Sequence, residues 1–260
     1  MLQAHGLCVS YQKKQVLKNI SLSLNEGQWL MVVGPNGAGK STLIKALSQT
    51  TAYTGEVSVM GEDAARLPAR MLARRLSVLR QKHTVAYAFR VEELVALGRY
   101  AHQNILSGGD AKGKSKVDEA IERCGLEKIR HQNTMTLSGG ELQRVFLAQV
   151  FAQDAPILLL DEPASHLDLA YQQAVFSLIA DWLKSPGRAV LSVVHDLQLA
   201  MRYGSGAILL DQGTCAAMGD MREVLTGETL ARAYHMDVPA WLSWLHEPWL
   251  SMDKTPGNKV

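Results

Sequence analysis

The chain has 260 residues, of which 47% are hydrophobic and 20% charged, a composition typical of one folded α/β domain and unlike that of a disordered chain. Its 27 lysines and arginines are interspersed with 25 acidic residues, so it lacks the basic stripe of a dedicated nucleic-acid binder, and we expect no nucleic-acid partner. No apolar run approaches the roughly 20 residues that span a membrane, and Met1 to His5 shows no secretory signal, so we expect a cytosolic protein.

The first predicted elements are strands. Apolar residues alternate over Leu2 to Val9 and again over Val16 to Leu24, which predicts two paired antiparallel strands. A buried strand over Trp29 to Val33 leads into a glycine-rich turn, and an apolar-periodic stretch from Lys40 to Ser48 predicts a helix. This order of strand, turn and helix is that of a phosphate-binding unit.

The glycine-rich turn carries a phosphate-binding motif. Gly34-Pro35-Asn36-Gly37-Ala38-Gly39-Lys40-Ser41-Thr42 matches G-x-x-x-x-G-K-S/T in the context that makes this motif specific. Its glycines let backbone N–H groups wrap phosphates, Lys40 supplies a cation to the β and γ oxygens, and the Ser41 hydroxyl can bind Mg²⁺. The alternative, a turn that matches the pattern by chance, is disfavoured by the preceding strand.

A second hydrophobic strand ends in two acids. Ile157 to Leu160 is followed by Asp161, predicted to hold Mg²⁺ directly or through water, and by Glu162, predicted to orient and polarise the attacking water. Many strands end in acidic turns, so this feature is weak alone. Together with the phosphate loop it indicates a nucleotide-hydrolysing enzyme.

The remaining pattern predicts the domain organisation. Strand-like runs with intervening helix-like stretches indicate an α/β fold with a mainly parallel sheet; they lie at Val57 to Met60, Ser77 to Leu79, Ala189 to Val194 and Ala207 to Leu210. The interval from Gln81 to Pro156 is mostly helical. We predict one domain in which residues 1–81 and 156–235 form the nucleotide-binding core, residues 82–155 an inserted helical subdomain, and residues 236–260 a tail.

One further motif identifies a family. Leu137-Ser138-Gly139-Gly140-Glu141, followed by Gln143 and Arg144, resembles the signature motif of ABC-type ATPases, whose motifs occur in the same order along nearly this whole chain. The exposed hydroxyl and N–H groups at a helix start form an anion site. The resemblance implies a fold with an antiparallel β subdomain beside the parallel core. It also implies that ATP is bound between two copies, with Ser138, Gly139, Gly140 and Glu141 of one copy on the γ-phosphate held by the other.

The resemblance also assigns roles to single residues. Gln81 is similar to the Q-loop residue that senses Mg²⁺ and the attacking water, and His195 to the catalytic histidine that touches the γ-phosphate. Tyr11 fits the aromatic residue that stacks on adenine. Ser165-His166-Leu167-Asp168 resembles the D-loop, which places Ser165 and Asp168 at the dimer interface. Each residue taken singly has another interpretation. Gln81 could be a surface-loop residue, His195 a helix-capping or core histidine, and Tyr11 a residue that only packs within its strand.

The segment after Gln81 is similar to the corresponding segment of one subfamily of these ATPases. Val91-Glu92-Glu93-Leu94 leading to Leu97-Gly98-Arg99-Tyr100-Ala101-His102 resembles ATPases of iron-siderophore, haem and cobalamin importers. This implies a homodimer at the cytoplasmic face of the inner membrane, bound to polytopic permease subunits and served indirectly by an extracytoplasmic substrate-binding protein. A soluble ABC ATPase acting on nucleic acid or ribosomes is the alternative; the missing long coiled coil and second cassette argue against it.

The tail holds three of the five tryptophans, Trp241, Trp244 and Trp249. Aromatic packing against the chain's own core is the interpretation we favour. The alternative is an interface with a second copy or with the permease, because exposed aromatic patches often mark contacts.

Overall fold

Two sheets organise the computed structural model, which describes residues 1–81, 87–103, 109–165 and 167–252. The strands are β1 (Leu2–Tyr11), β2 (Lys14–Leu24), β3 (Trp29–Val33), β4 (Thr54–Val59), β5 (Glu62–Asp63), β6 (Leu76–Leu79), β7 (Ile157–Asp161), β8 (Ala189–Val193), β9 (Gly206–Asp211) and β10 (Thr214–Asp220). One sheet has the order β10-β9-β3-β8-β7-β6, and the other has the order β2-β1-β4-β5.

The six-stranded sheet divides two hydrophobic cores. Leu30 and Val32 of β3 face the core shared with β1, β2 and α1 (Lys40–Leu47), whereas the alternate residues Trp29, Met31 and Val33 face the opposite core. Every residue of β3, β7 and β8 is buried, because both faces of the sheet are covered. All neighbours in this sheet are parallel except β10 with β9, so the predicted mainly parallel α/β core is confirmed.

The strand register brings the polar strand ends together. Val32 pairs with Val193, Val193 with Asp161, and Leu160 with Leu79, so β3, β8, β7 and β6 end side by side. The phosphate loop, His195, Glu162 and Gln81 each follow one of these ends. A single edge of the sheet therefore carries most of the predicted site.

The four-stranded sheet confirms the predicted antiparallel strands. β1 pairs with both β2 and β4 in antiparallel register, with irregularities that re-aim the strand. Its buried side chains, Leu2, Ala4, Leu7 and Val9, face the core next to α1. This sheet therefore supports the helix that begins in the phosphate loop.

The other helices are α2 (Ala69–Ala73), α3 (Val91–Ala96), α4 (Gly113–Arg123), α5 (Gly139–Ala152), α6 (Leu169–Leu183), α7 (Leu197–Tyr203), α8 (Met221–Val224), α9 (Gly227–Tyr234) and α10 (Val238–Met252). We call α3, α4 and α5, which lie between β6 and β7 in the chain, the helical insert. A 3₁₀ helix over Leu97–His102 ties the insert together: a Cβ on Gly98 would collide with the Gln149 carbonyl oxygen of α5, and Ala101 O accepts hydrogen bonds from Arg70 and Arg74.

The tail corrects one expectation. Trp241, Trp244 and Trp249 are 46%, 61% and 71% exposed, so the prediction that they pack against the chain's own core is wrong. The reason is that, from Val238 to Trp249, α10 buries only Val238, and the tryptophans lie where the described chain does not cover the helix. Instead, the rings of Trp241 and Trp244 stack on each other with centroids 5.1 Å apart. None of the helices in the described residues has the length and hydropathy needed to cross a bilayer.

Candidate nucleotide site

The backbone of the phosphate loop requires glycine at two positions. Gly34 has φ 141°, and a Cβ there would collide with the Leu210 carbonyl oxygen of β9. Gly39, with φ 101°, precedes α1, and its Cβ would lie 2.6 Å from Leu17 Cδ2. The loop therefore packs tightly against β9 and β2. Asn36, Gly37 and residues 39–42 of the loop line an open cleft of about 240 Å³ at the N-terminus of α1.

Lys40 is held inside this loop. Its Nζ donates to Gly34 O at 2.7 Å and to Pro35 O at 3.0 Å, and the side chain is buried. Burial lowers the pKa of Lys40, and the nearby carboxylates of Glu162 and Asp161 act in the opposite direction. The ammonium thus lies where it can face phosphate oxygens.

Ser41 and Asp161 form a pair of oxygen donors that fits Mg²⁺. Ser41 Oγ donates to Asp161 Oδ1 at 3.1 Å. Burial raises the pKa of Asp161, against the hydrogen bond from Ser41, so this carboxylate is short of compensating charge. A hydroxyl and a carboxylate are the hard ligands that Mg²⁺ prefers, and a cation here would offset the cost of burying the acid.

Gln81 and Tyr11 share a second cleft with this pair. A space of about 450 Å³ is lined by Tyr11, Ser41, Gln81 and Asp161 among others. Tyr11 as a whole residue is 42% exposed. The structure therefore brings both residues to the phosphate loop, although their predicted contacts with adenine and Mg²⁺ stay predictions.

Glu162 and His195 are paired directly. Glu162 has φ 53°, a left-handed conformation uncommon for its residue type, and its N–H donates to Val193 O at 3.1 Å. This geometry turns its carboxylate toward His195, whose Nε2 lies 2.7 Å from Glu162 Oε1. The carboxylate is 11% exposed and the imidazole 44%, and both line the phosphate-loop cleft.

The signature residues build a helix start. Ser138 caps α5: its Oγ accepts from the Glu141 N–H at 3.3 Å, while Glu141 Oε2 accepts from the Ser138 N–H at 2.9 Å. The bond from the Ser138 N–H, together with a second in which Ser138 Oγ donates to Glu141 Oε2 at 2.8 Å, lowers the pKa of Glu141. Gly139 and Gly140 begin the helix. Among the described residues, none from 138 to 141 lines either of the two clefts beside the phosphate loop.

The D-loop-like residues are held by local hydrogen bonds. The Ser165 N–H donates to Glu162 O at 3.2 Å, and Asp168 caps α6 by accepting from the Tyr171 N–H at 2.9 Å. His166, the second residue of that motif, lies outside the described residues. Their predicted place at a dimer interface stays a prediction.

Sequence reasoning missed one connection. Gln143 Nε2 of α5 donates to Pro163 O at 2.6 Å, directly after Glu162. The bond joins the signature helix to the turn that holds the candidate catalytic acid. No signal in the sequence points to it, because the two residues belong to different motifs 20 positions apart.

Comparisons with known proteins agree with this geometry. The ABC transporter family matches residues 17–165 of this chain. The hemin import ATP-binding protein HmuV of Shewanella denitrificans is 40% identical over 243 residues, covering 91% of this chain and 94% of that protein. The ferric enterobactin transport ATP-binding protein FepC of Escherichia coli is 36% identical over 234 residues, covering 90% of this chain and 86% of that protein. Among solved structures, the dimeric bacterial ABC transporter cassette MJ0796 is 25% identical with a TM-score of 0.76, covering 85% of this chain and 99% of that chain.

Proposed function

Because this chain belongs to the ABC transporter family of ATP-binding proteins, we propose that it powers the import of a metal chelate: an iron-siderophore, haem or cobalamin. Two copies would act at the cytoplasmic face of the membrane beneath a polytopic permease, which receives its cargo from an external binding protein. The observation that carries the ATP hydrolysis in this proposal is the Glu162–His195 pair at 2.7 Å beside an intact phosphate loop.

ATP binding in this proposal rests on the loop and Lys40. Backbone N–H groups at the start of α1 face the phosphates, and Lys40 moves from the loop carbonyls to the β and γ oxygens. Ser41, Asp161 and Gln81 would hold Mg²⁺, which, when bound, neutralises charge on the transferring phosphoryl group. Tyr11 would stack on adenine, a contact for which base stacking suggests about 1 to 3 kcal/mol.

Hydrolysis in this proposal rests on position more than on covalent chemistry. Glu162 would accept a hydrogen bond from the attacking water and align it with the γ-phosphate. His195 would fix the Glu162 carboxylate through the 2.7 Å contact and, on the same ring, approach the γ-phosphate. The left-handed backbone at Glu162 supports this role, since strained residues often lie at functional sites.

The cargo would be selected elsewhere. Substrate contacts in such importers belong to the permease and binding protein, so the support for a metal chelate is the similarity to HmuV and FepC along about nine tenths of this chain. ATP hydrolysis and cargo specificity are therefore tested separately.

We expect Glu162→Gln to retain ATP binding and to lower steady-state phosphate release roughly 100-fold or more, the loss typical of removing a catalytic base. The matched control is Glu228→Gln on α9, a surface acid paired with Arg232, which should leave hydrolysis unchanged. Near-normal turnover of Glu162→Gln would contradict the catalytic assignment.

The importer assignment is tested in cells that lack this chain. Re-expressed wild-type protein should restore uptake of one radiolabelled chelate among haem, a ferric siderophore and cobalamin, and Glu162→Gln should restore none. Normal uptake of all three without the chain would contradict a role in their import.

A further inference from the structure

Helix α10 exposes a row of large apolar side chains. Trp241, Trp244, Leu245 and Trp249 are 46%, 61%, 42% and 71% exposed. Their spacing of three, four and eight positions places them along one side of the helix. We call these four residues the tryptophan stripe. The other two tryptophans, Trp29 and Trp182, are 1% and 2% exposed in the cores.

Helix α10 buries little of its apolar surface against its own chain. Between Val238 and Trp249 only Val238 is buried, and Leu242 is half-buried. An isolated helix of about 15 residues is marginally stable in water, and a helix rich in apolar residues is normally covered. Clustered exposed tryptophans mark contact surfaces, because each can remove a large apolar area from water. We therefore expect the tryptophan stripe to be covered by a partner.

The charge of α10 argues against a lipid surface as that partner. The segment Val238–Met252 contains no lysine or arginine, and its one acidic residue is Glu247. Helices that lie on anionic membranes carry basic residues on a polar face. Contact with lipid would place Glu247 near like charge.

The position of α10 argues against a partner that is bound to the helical insert. α10 packs on α9, which packs on β9 and β10. In the six-stranded sheet, β10 forms one edge and β6, which leads into the insert, forms the other. A partner seated on the insert would therefore lie across the sheet from the stripe.

The same position adjoins the nucleotide site. Gln198 Nε2 of α7 donates to His246 Nε2 of α10 at 2.6 Å. Helix α7 begins directly after Asp196, which follows His195. A second copy that closes over His195 would thus reach α7 and the helix bonded to it.

We propose that the tryptophan stripe packs against a second copy of this chain and forms part of the interface of the ATP-bound dimer. The proposal rests on the dimer of the proposed function and assigns it an additional surface. A two-fold interface uses the same patch on both copies, so six tryptophans take part. If each buries half of its roughly 150–250 Å², they supply on the order of 600 Å², more than a third of a standard interface of about 1,600 Å².

The test measures self-association of the full-length chain. In the Glu162→Gln background, which retains ATP, sedimentation with Mg-ATP should show a dimer. Adding Trp244→Glu should weaken dimerisation tenfold or more, because the two-fold axis brings the new charge near its own copy. Tyr100→Glu, at a residue 76% exposed on the insert, is the matched control and should leave dimerisation unchanged. ATP affinity of the monomer should be the same in all three proteins.

Tryptophan fluorescence gives an independent reading. Emission should move to shorter wavelength when ATP is added to Glu162→Gln protein, since the two core tryptophans are already buried. A shift caused instead by phosphatidylglycerol vesicles without ATP would overturn the proposal in favour of lipid.

The proposal is also overturned if Trp244→Glu dimerises normally with unshifted emission, or if no dimer forms at concentrations where ATP is bound. In either case, normal hydrolysis by the wild-type chain would leave the proposed function standing. Loss of hydrolysis and of ATP binding in the wild-type chain would instead reject the proposed function.

Discussion

At the scale of single residues, the nucleotide site depends on backbone conformations that most side chains avoid. Gly34 combines a positive φ of 141° with close approach to the Leu210 carbonyl oxygen, so a side chain there would be both strained and obstructed. Glu162 accepts a left-handed conformation with φ 53°. The backbone thus places both the loop and the acid.

Gly34→Ala should displace the phosphate loop and abolish ATP binding, because the new methyl group cannot share space with β9. Gly187→Ala is the matched control: Gly187 also has positive φ, 75°, but nothing lies within 4 Å of its Cβ position. It should lower the free energy of unfolding by about 1 kcal/mol and leave ATP binding intact. Calorimetric ATP titration and urea unfolding of both variants decide this, and full ATP affinity in Gly34→Ala would disprove it.

At the scale of elements, α5 serves two parts of the molecule. Its first residues form the signature motif, and one turn later Gln143 donates to Pro163 O beside Glu162. A movement of the signature helix would therefore reach the turn after Glu162 in the same chain. In the proposed dimer, contact of this helix with a second copy would act on the position of Glu162 through this bond.

Gln143→Leu should lower the turnover number tenfold or more while changing ATP affinity little, since the loop itself is untouched. Losing the bond leaves the Pro163 carbonyl unpaired and frees the turn after Glu162. Thr214→Val at the start of β10 is the control, because Thr214 Oγ1 also donates to a nearby backbone carbonyl, that of Asp211. Equal loss of turnover in both variants would mean that Gln143 has no special link to catalysis.

The insert is fastened by an almost buried ion pair. Arg99 Nε lies 2.7 Å from Asp110 Oδ2, with side chains 7% and 13% exposed, and Arg99 Nη1 also donates to Ala152 O of α5. The hydrogen bond from Arg99 lowers the pKa of Asp110. Because this pKa is lower in the folded chain, the pair's full contribution is present above the unfolded pKa of about 4 and is lost as pH falls through the folded value.

Asp110→Asn should cost about 3 kcal/mol at pH 7, since it leaves the Arg99 charge buried without its partner. The difference from wild type should shrink below about pH 4. Asp181→Asn, which breaks an exposed pair with Lys184, should change nothing measurable. Urea unfolding at several pH values tests this, and a difference independent of pH would contradict it.

At the scale of the whole molecule, each chain carries two anion-binding designs that are not in the same cleft. The phosphate loop lines the clefts with Glu162 and Asp161, whereas Ser138 to Gly140 begin α5 outside both. In the proposed dimer, one bound ATP would contact a phosphate loop from one copy and a signature helix from the other. We therefore expect each site to be complete only when a second copy supplies its signature helix.

Mixing Ser138→Arg protein with Lys40→Ala protein should therefore restore hydrolysis to about a quarter of the wild-type rate, if half of the dimers are mixed and one of their two sites is intact. The matched control mixes Lys40→Ala with Glu162→Gln, where both defects lie on the phosphate-loop side and no intact site can form. Steady-state phosphate release decides between them. Wild-type hydrolysis by Ser138→Arg alone would rule out a shared site.

The sequence by itself determined the features that depend on neighbouring residues. A phosphate loop, a buried strand with its terminal acids and a capped helix start are each set by adjacent side chains and backbone, so the order of residues along the chain is enough to locate them. Strands β3, β6, β7, β8 and β9 were likewise predicted to within one residue at each end, because period and burial are local properties.

Only the tertiary structure decided which of these features meet. The bond from Gln143 to Pro163 and the pairing of Glu162 with His195 depend on how α5 and β8 pack beside β7. The tail was misplaced for the same reason: its tryptophans have the composition of a core, but burial depends on where the helix emerges from the fold. Local pattern sets what a segment can bury, while long-range packing sets what is available to cover it.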